Sequence, residues 1–405
     1  MMTTQNDSKK QVLIVSGVYP PEPYVSAKMS EAIAQELSHT NNVTVLCPPV
    51  SRPIGKVSPR MINPHAKFNI ITLPSYTCPE SKVIGRLRES YSFGQHVAEY
   101  IRANSDFIKV IYANTHPTFG QYLLLAEAKK YDIPVVIHIQ DIYPESITKK
   151  IGKIGRIIQP LLAKYDEMMM KKATRIITIS FGMKKSLVHS RNFKNDFVEV
   201  VYNWQDESCF QSHYPQKKGN KFTFMFVGSL NPTASLNTVI DAFGKANLKD
   251  AQLVLAGDGS DKQRCIDQSK KYPNASIIFK SVMPHEVHAL QAQADVLLLP
   301  LKAGISLTAL PSKLPAYMFS AKPIIACVEN ESDVASIITT TGCGWITEPE
   351  NTMMLSELMK KCIDIPVDTI TSKGLAARSY SLTNFSKDIN LKKICKIITS
   401  ISQQS

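Results

Sequence analysis

The feature that most constrains this chain is a repeated alternation. A short apolar run is closed by a polar or glycine-containing turn and followed by residues at helical spacing. Gln11–Val18 (QVLIVSGV) reads as a buried strand. The loop Tyr19–Tyr24 (YPPEPY) follows, then a helical pattern that turns Met29, Ile33 and Leu37 inward, and then the strand Val43–Cys47. Continuous apolar runs of strand length, joined through a helix, predict a parallel sheet covered on both faces. Phe68–Thr72, Val110–Asn114, Val135–Ile139, Arg175–Ser180 and Val198–Tyr202 extend the series, with a helix at about Phe119–Tyr131.

Asn203–Lys218 is polar, has neither periodicity and ends at Gly219-Asn220, so a boundary is expected there. The grammar then restarts. Strands are expected at Phe222–Val227, Gln252–Ala256, Ser276–Phe279 and Asp295–Pro300. Helices are expected at Leu236–Phe243, from Pro284 through Ala292, and at Ile389–Ile401. The 405 residues suffice for two domains of ordinary size. The expectation is α/β, two Rossmann-like doubly wound domains. The first is residues 1–204, followed by a linker at 205–220, a second domain at 221–388 and a C-terminal helix at 389–405.

Composition narrows the function classes. The terminus MMTTQNDSKK lacks the apolar core of a secretory signal, and no apolar run nears the roughly 20 residues of a spanning helix. The eight cysteines have no paired spacing, which fits reduced cytoplasmic thiols better than a disulfide frame or a zinc site. Residues 1–204 carry 26 Lys and Arg against 16 Asp and Glu, whereas residues 205–405 carry 21 against 18. A basic first half suggests an anionic partner. No aromatic and basic stripe accompanies the charge, which argues against nucleic acid. Thr148–Arg175 concentrates eight Lys and Arg around Ile151, Ile154, Ile158, Leu161, Leu162, Tyr165 and Met169, with Pro160 expected to split or kink it. Such a segment either packs its apolar face on a sheet or lies on an anionic bilayer.

Open parallel sheets bind ligands beyond the carboxyl ends of their strands. In the first half those ends carry Tyr19 and Tyr24, then Asn114-Thr115-His116, then His138, Gln140, Asp141 and Glu145. An Asp there polarises a hydroxyl or stabilises positive charge; alternatively, Asp141 caps the next helix and His138 is a satisfied imidazole. No G-x-G-x-x-G follows the first strand, which argues against a dinucleotide.

In the second half the strand ends carry Gly228-Ser229, Gly257-Asp258-Gly259 and the loop Leu301–Ala309, which leads into Leu310–Ala326 (LPSKLPAYMFSAKPIIA). Ser312 is a good N-cap, Pro315 falls in the first turn, and Leu314, Tyr317 and Met318 recur at helical spacing. Free amides, the positive end of the helix dipole and the Lys313 charge together suit a phosphate. The plainer reading is an ordinary capped amphipathic helix. No D-x-D pair ends a strand in this half, so no divalent metal is expected to carry a diphosphate.

The segments VYPPEP, HIQDIYPES, TISFGM, VVYNWQDESCF, FMFVGSL, LVLAGDGSD, ADVLLLPL, LPSKLPAYMFSAKPIIA and GCGWITEPEN, in this order, resemble the retaining glycosyltransferases of family 4, with the GT-B architecture. HIQD-x-YPES and PSKL look closest to bacterial O-antigen and capsule enzymes, including those that transfer L-fucose or N-acetyl-L-fucosamine. The resemblance implies two domains facing across a cleft, a final helix crossing back to the first domain, and no cofactor. A nucleotide-sugar donor would lie in the second domain. An acceptor, expected to be a lipid-linked saccharide at the anionic inner membrane surface, would lie in the first.

Carried over, Pro311, Ser312 and Lys313 would hold the diphosphate with Gly228 and Ser229 nearby. Val282 and Met283 would meet the base, Gly304 through Thr308 would face the sugar, and Gly257 and Tyr317 would complete the donor side. Asp141 would lie near the anomeric carbon and, with Lys313, carry catalysis. Tyr19, Tyr24, His116, His138 and Glu145 would line the acceptor side. The family's two Glu positions hold Thr308 and Ala316 here, and its Arg and Lys positions hold Ser229 and Ala234. Other readings are a sugar-nucleotide epimerase or hydrolase on the same fold, or a non-catalytic scaffold.

Overall fold

The computed structural model describes residues 10–22, 24–51, 60, 66–78, 83–114, 119–145, 152–210, 219, 221–307 and 310–403. The chain forms two compact units, one of Met1–Tyr202 with Leu391–Ser405, the other of Asn203–Asn390.

The first unit is built on β1 (Gln11–Ser16), β2 (Asn42–Cys47), β3 (Asn69–Thr72), β4 (Ile108–Asn114), β5 (Val135–Ile139), β6 (Arg175–Thr178) and β7 (Val198–Val200). They pair in parallel in the order β3-β2-β1-β4-β5-β6-β7. Val12, Leu13, Ile14, Val110, Ile111, Val136 and Ile137 are buried on consecutive positions, so both faces of the central strands are covered. The covering helices are α1 (Val25–Leu37), α2 (Val83–Asn104), α3 (Phe119–Lys130), α4 (Gly152–Met170) and α5 (Phe181–Ser190). Ser180 caps α5, its Oγ accepting from the Met183 amide at 3.1 Å. Pro160 lies inside α4 without dividing it.

Neither α2 nor α5 was expected from the sequence. In α2 the reason is visible: Gly85 and Gly94 read as breakers, but Gly94 lets two helix backbones touch. A Cβ on Gly94 would fall 2.4 Å from the Gly120 Cα of α3. The Gly120 amide also donates to Ser90 Oγ at 2.9 Å.

The second unit repeats the plan with β8 (Phe222–Val227), β9 (Ala251–Ala256), β10 (Ile277–Lys280), β11 (Val296–Pro300), β12 (Ile324–Cys327) and β13 (Gly344–Thr347). Their order is β10-β9-β8-β11-β12-β13, again parallel throughout. Its helices are α6 (Leu236–Ala246), α7 (Lys262–Ser269), α8 (Val287–Gln291), α9 (Lys313–Phe319), α10 (Asp333–Thr341), α11 (Thr352–Ile363) and α12 (Val367–Asn384). The last helix, α13 (Lys387–Ser402), starts in the second unit and ends in the first. There Ile394 and Ile398 are fully buried and Lys393 Nζ donates to the Val200 carbonyl at 2.7 Å.

Part of the stretch expected to be a linker packs instead. Glu207–Phe210 forms a 3-10 turn in which Phe210 stacks on Phe319 at 5.3 Å and Glu207 accepts from Ser386 Oγ at 2.6 Å. Residues 211–218 lie outside the described residues.

Candidate active site

Each sheet reverses its strand order once, between β1 and β4 in the first unit and between β8 and β11 in the second. At such a switch point the connections leave in opposite directions and open a crevice at the carboxyl ends of the strands. The sequence-derived candidates gather at these two places.

In the second unit, β8 ends at Gly228, and Lys313 reaches the same spot from the segment after β11. Gly228 has φ +151°, and a Cβ there would lie 2.1 Å from Lys313 Cε. A side chain at this position would displace the lysine stem from its present path. Lys313 Nζ sits 5.3 Å over the Phe226 ring and is half-buried. Among the described residues it has no hydrogen-bond or ion-pair partner. Burial holds its ammonium below the usual lysine range.

The neighbouring turns are laced together. The Gly228 amide donates to the Ala256 carbonyl at 2.9 Å, and Leu230 N donates to Asp258 O at 2.9 Å. A Cβ on Gly257, φ +133°, would meet the Gly228 carbonyl at 2.1 Å. The loop after β11 is pinned by two carboxylates: Gly304 N donates to Glu329 Oε1 at 2.5 Å, and Ala303 N to Glu350 Oε2 at 3.3 Å. Sequence reading missed Glu329 and Glu350; the pinned loop alone reveals them. Ser229 and Ser312 are exposed here, with Pro311 half-buried between solvent and core.

Two expectations for this corner need correction. Ser312 does not cap α9: its backbone is already helical, φ −61° and ψ −14°, which turns the hydroxyl away from the amides it would have to accept. Tyr317 is not a donor contact. It is fully buried, and its hydroxyl accepts from Val227 N at 2.9 Å and donates to Val227 O at 3.0 Å, tying α9 to the end of β8. Val282 and Met283 follow the edge strand β10, with Met283 59% exposed. Ala316 is buried, and Thr308 lies outside the described residues.

In the first unit Asp141 is exposed just past the end of β5. Tyr24, 39% exposed, opens α1 beside the β1 loop. Three other acceptor-side candidates are structural. His138 is completely buried, with Nδ1 2.8 Å from the Tyr112 hydroxyl and Nε2 3.2 Å from the Gln140 amide nitrogen; burial pushes its pKa down to about 3. Tyr19 is buried beneath the Arg60 guanidinium, 5.6 Å from the ring centre. Arg60 in turn donates to the carbonyls of Pro20 and Pro48, and Glu22 accepts from Ser51 N at 3.0 Å, so the β1 loop is stapled shut.

Glu145 gives both carboxylate oxygens to Arg191, each at 2.8 Å. Arg191 also donates to Asp166 at 2.7 Å, and Asp166 accepts from the Tyr122 hydroxyl at 2.7 Å. Burial alone would depress the guanidinium, but these carboxylates hold it above its usual value. His116 lies outside the described residues.

Asn114, which sequence reading noted only as part of a polar strand end, is the better acceptor-side candidate. Its amide nitrogen donates to Ser26 O and Ser30 Oγ, both at 3.0 Å, while its buried Oδ1 has no partner among the described residues. It lines a small cavity at the β1/β4 switch with Gly17, Gly120 and Gln121.

Among the described residues no three His, Cys, Asp or Glu side chains are grouped to hold a metal, and no helix is long and apolar enough to cross a membrane.

The family described as Glycosyltransferase Family 4 matches residues 28–208, and Glycosyl transferases group 1 matches residues 210–377. The chain is 24% identical over 286 residues to the probable glycosyltransferase WbjE of Pseudomonas aeruginosa, covering 67% of this chain and 69% of that one. It superposes on Anabaena Alr3699/HepE in complex with UDP with a TM-score of 0.70 at 14% identity, covering 96% of this chain and 100% of that one. For WaaG, a glycosyltransferase involved in lipopolysaccharide biosynthesis, the TM-score is 0.66 at 17% identity, covering 96% and 99%. The two halves match these two glycosyltransferase descriptions in order, and the two parallel Rossmann-like units give the chain the GT-B fold of such enzymes.

Proposed function

We propose that the protein is a retaining, metal-independent glycosyltransferase of bacterial surface polysaccharide synthesis. In this reading it moves a sugar from a nucleoside diphosphate to a lipid-linked saccharide, in the cytoplasm at the inner face of the inner membrane. The observation that carries the reading is Lys313: a half-buried ammonium with no counter-ion among the described residues, wedged against Gly228 at the β8/β11 switch. A buried charge is retained at such cost only where a partner compensates it. A diphosphate supplies two negative groups of the right size, and Ser229 and Ser312 offer hydroxyls beside it. The Anabaena neighbour is described in complex with UDP-glucose, and WaaG by its part in lipopolysaccharide biosynthesis.

In the reaction the bond between the anomeric carbon and the phosphate oxygen breaks, and Lys313 stabilises the charge that develops on the leaving diphosphate. The acceptor oxygen bonds to the same face of the sugar, and its proton passes to the departing phosphate oxygen. Asp141, exposed at the end of β5, shields the positive charge at the ring carbon. Asn114 Oδ1 accepts a hydrogen bond from an acceptor hydroxyl and so orients it. The lysine is a single point charge rather than an arginine fork, so it fixes the diphosphate by charge more than by direction.

The test is a donor screen, L-fucose and N-acetyl-L-fucosamine nucleotides included, against a lipid-linked N-acetylhexosamine with mass-spectrometric readout. Product with one donor, lost in Lys313→Ala while the fold is kept, is the expected result. Donor turnover without acceptor would favour the hydrolase or epimerase. Lack of heat on titration with any nucleotide would favour the scaffold.

A further inference from the structure

We infer that the outer face of α4 is a docking surface for an anionic lipid bilayer. The inference deepens the lipid-linked acceptor reading, but its test needs no transferase activity. Ile157 is 79% exposed, Leu161 74%, Met168 53% and Tyr165 46%. At about 100° per residue, Ile157, Met168 and Leu161 fall within roughly 40° of one another, with Tyr165 a further 40° on. Large apolar side chains are common singly on protein surfaces, but four sharing one helical face are not.

The opposite face explains why α4 holds this orientation. Met169 and Met170 are buried, and Asp166 is locked to Arg191 and Tyr122. The helix is therefore anchored by its inner face with the apolar stripe turned outward.

Charge selects the occupant. The helix and the residues just after it carry Lys153, Arg156, Lys164, Lys171 and Lys172. Of the two acidic residues, Asp166 is buried against Arg191 and Glu167 is paired with Lys171. Neither offsets the exposed Lys164. A stripe of Ile, Leu, Met and Tyr bordered by lysine matches the acyl and headgroup layers of an anionic leaflet, where the apolar groups enter and the ammoniums stay at the phosphates. A second copy of the chain fits less well, because a symmetric contact would set one lysine border against the other. A helix lying in the interface in this way attaches superficially and reversibly.

The experiment is flotation of the full chain with vesicles of phosphatidylglycerol and phosphatidylcholine, and with phosphatidylcholine alone. The protein is expected on the anionic vesicles and not on the zwitterionic ones. Replacing Ile157→Glu together with Leu161→Glu should weaken partitioning at least about tenfold, and Lys164→Glu about fivefold or more. Both apolar positions are exposed, so circular dichroism should show an unchanged fold. Equal binding by the double variant, or equal binding to both vesicle types, overturns the inference. So does a dimer in sedimentation that the double variant abolishes while vesicle binding is absent. Vesicle binding without transfer in the donor screen would leave the docking surface standing and remove the transferase reading; transfer to a short soluble acceptor without vesicle binding would do the reverse.

Discussion

Two cations withdrawn from solvent to different degrees, Arg191 and Lys313, are opposites. Arg191, 1% exposed, has its guanidinium nitrogens held by Asp166, Glu145, Ser190 and the Tyr143 carbonyl. Lys313 is half-buried and has nothing among the described residues but an aromatic face and a glycine. Arg191 joins α4, the end of α5 and the loop after β5, and its demand for partners is met. Lys313 has no such partner among the described residues. A compensated buried charge holds structure together, whereas an uncompensated one marks a place built for something else.

The sharpest way to break this comparison is Arg191→Met. It strands Asp166 and Glu145, so the first unit should lose about 3–5 kcal/mol in urea unfolding. A loss under about 1 kcal/mol would mean that the cluster is slack. Lys313→Met should do the reverse: turnover falls about 10²–10³-fold, while the free protein unfolds at the same or a higher temperature. The sign follows from burial. Desolvation lowers the folded pKa of Lys313 below its unfolded value, so the charged form costs stability at neutral pH and the methionine relieves that cost. By the same token, kcat/KM should fall with rising pH at values below the ordinary lysine range, a limb missing from the Met variant.

Gly228→Ala would push a Cβ against Lys313 Cε at 2.1 Å in a left-handed backbone position. We expect activity to drop about 10²-fold with KM raised, since a displacement of about an ångström is enough; unaltered kinetics would detach Gly228 from the site. His138 gives a smaller effect. It is buried neutral with a pKa of about 3, so the unfolded chain takes up its proton first as pH falls below about 6.5. Stability of the first unit should decline from there toward pH 3 by up to about 1.4 kcal/mol per pH unit, and His138→Gln should flatten that slope.

The sheets were legible because central parallel strands are apolar on both faces, as in the runs Val110–Ala113 and Val296–Leu299. Helices were harder. Gly374 in α12 looks like a breaker in a string, yet a Cβ there would sit 2.1 Å from the Ala321 carbonyl, so the residue marks a close approach. At the site, sequence indicated which loops leave the carboxyl edge of each sheet. It could not say which polar groups are already engaged. His138, Glu145 and Tyr317 lie at those edges but are bonded to Tyr112, Arg191 and Val227, residues 26, 46 and 90 positions away. Asn114 was undervalued for the same reason: one end of its amide is satisfied by residues 84 and 88 positions distant, and the other has no partner among the described residues.

The course of α13 has a consequence for biosynthesis. Leu391, Ile394, Ile398 and Ile401 are buried in the first unit, although they are translated after the whole of the second. On the ribosome, then, the sheet of the first unit forms while part of its apolar surface is still uncovered, and that surface is closed only when the final turns of helix emerge. Nascent chains paused near residue 390 should be the ones that most need a chaperone.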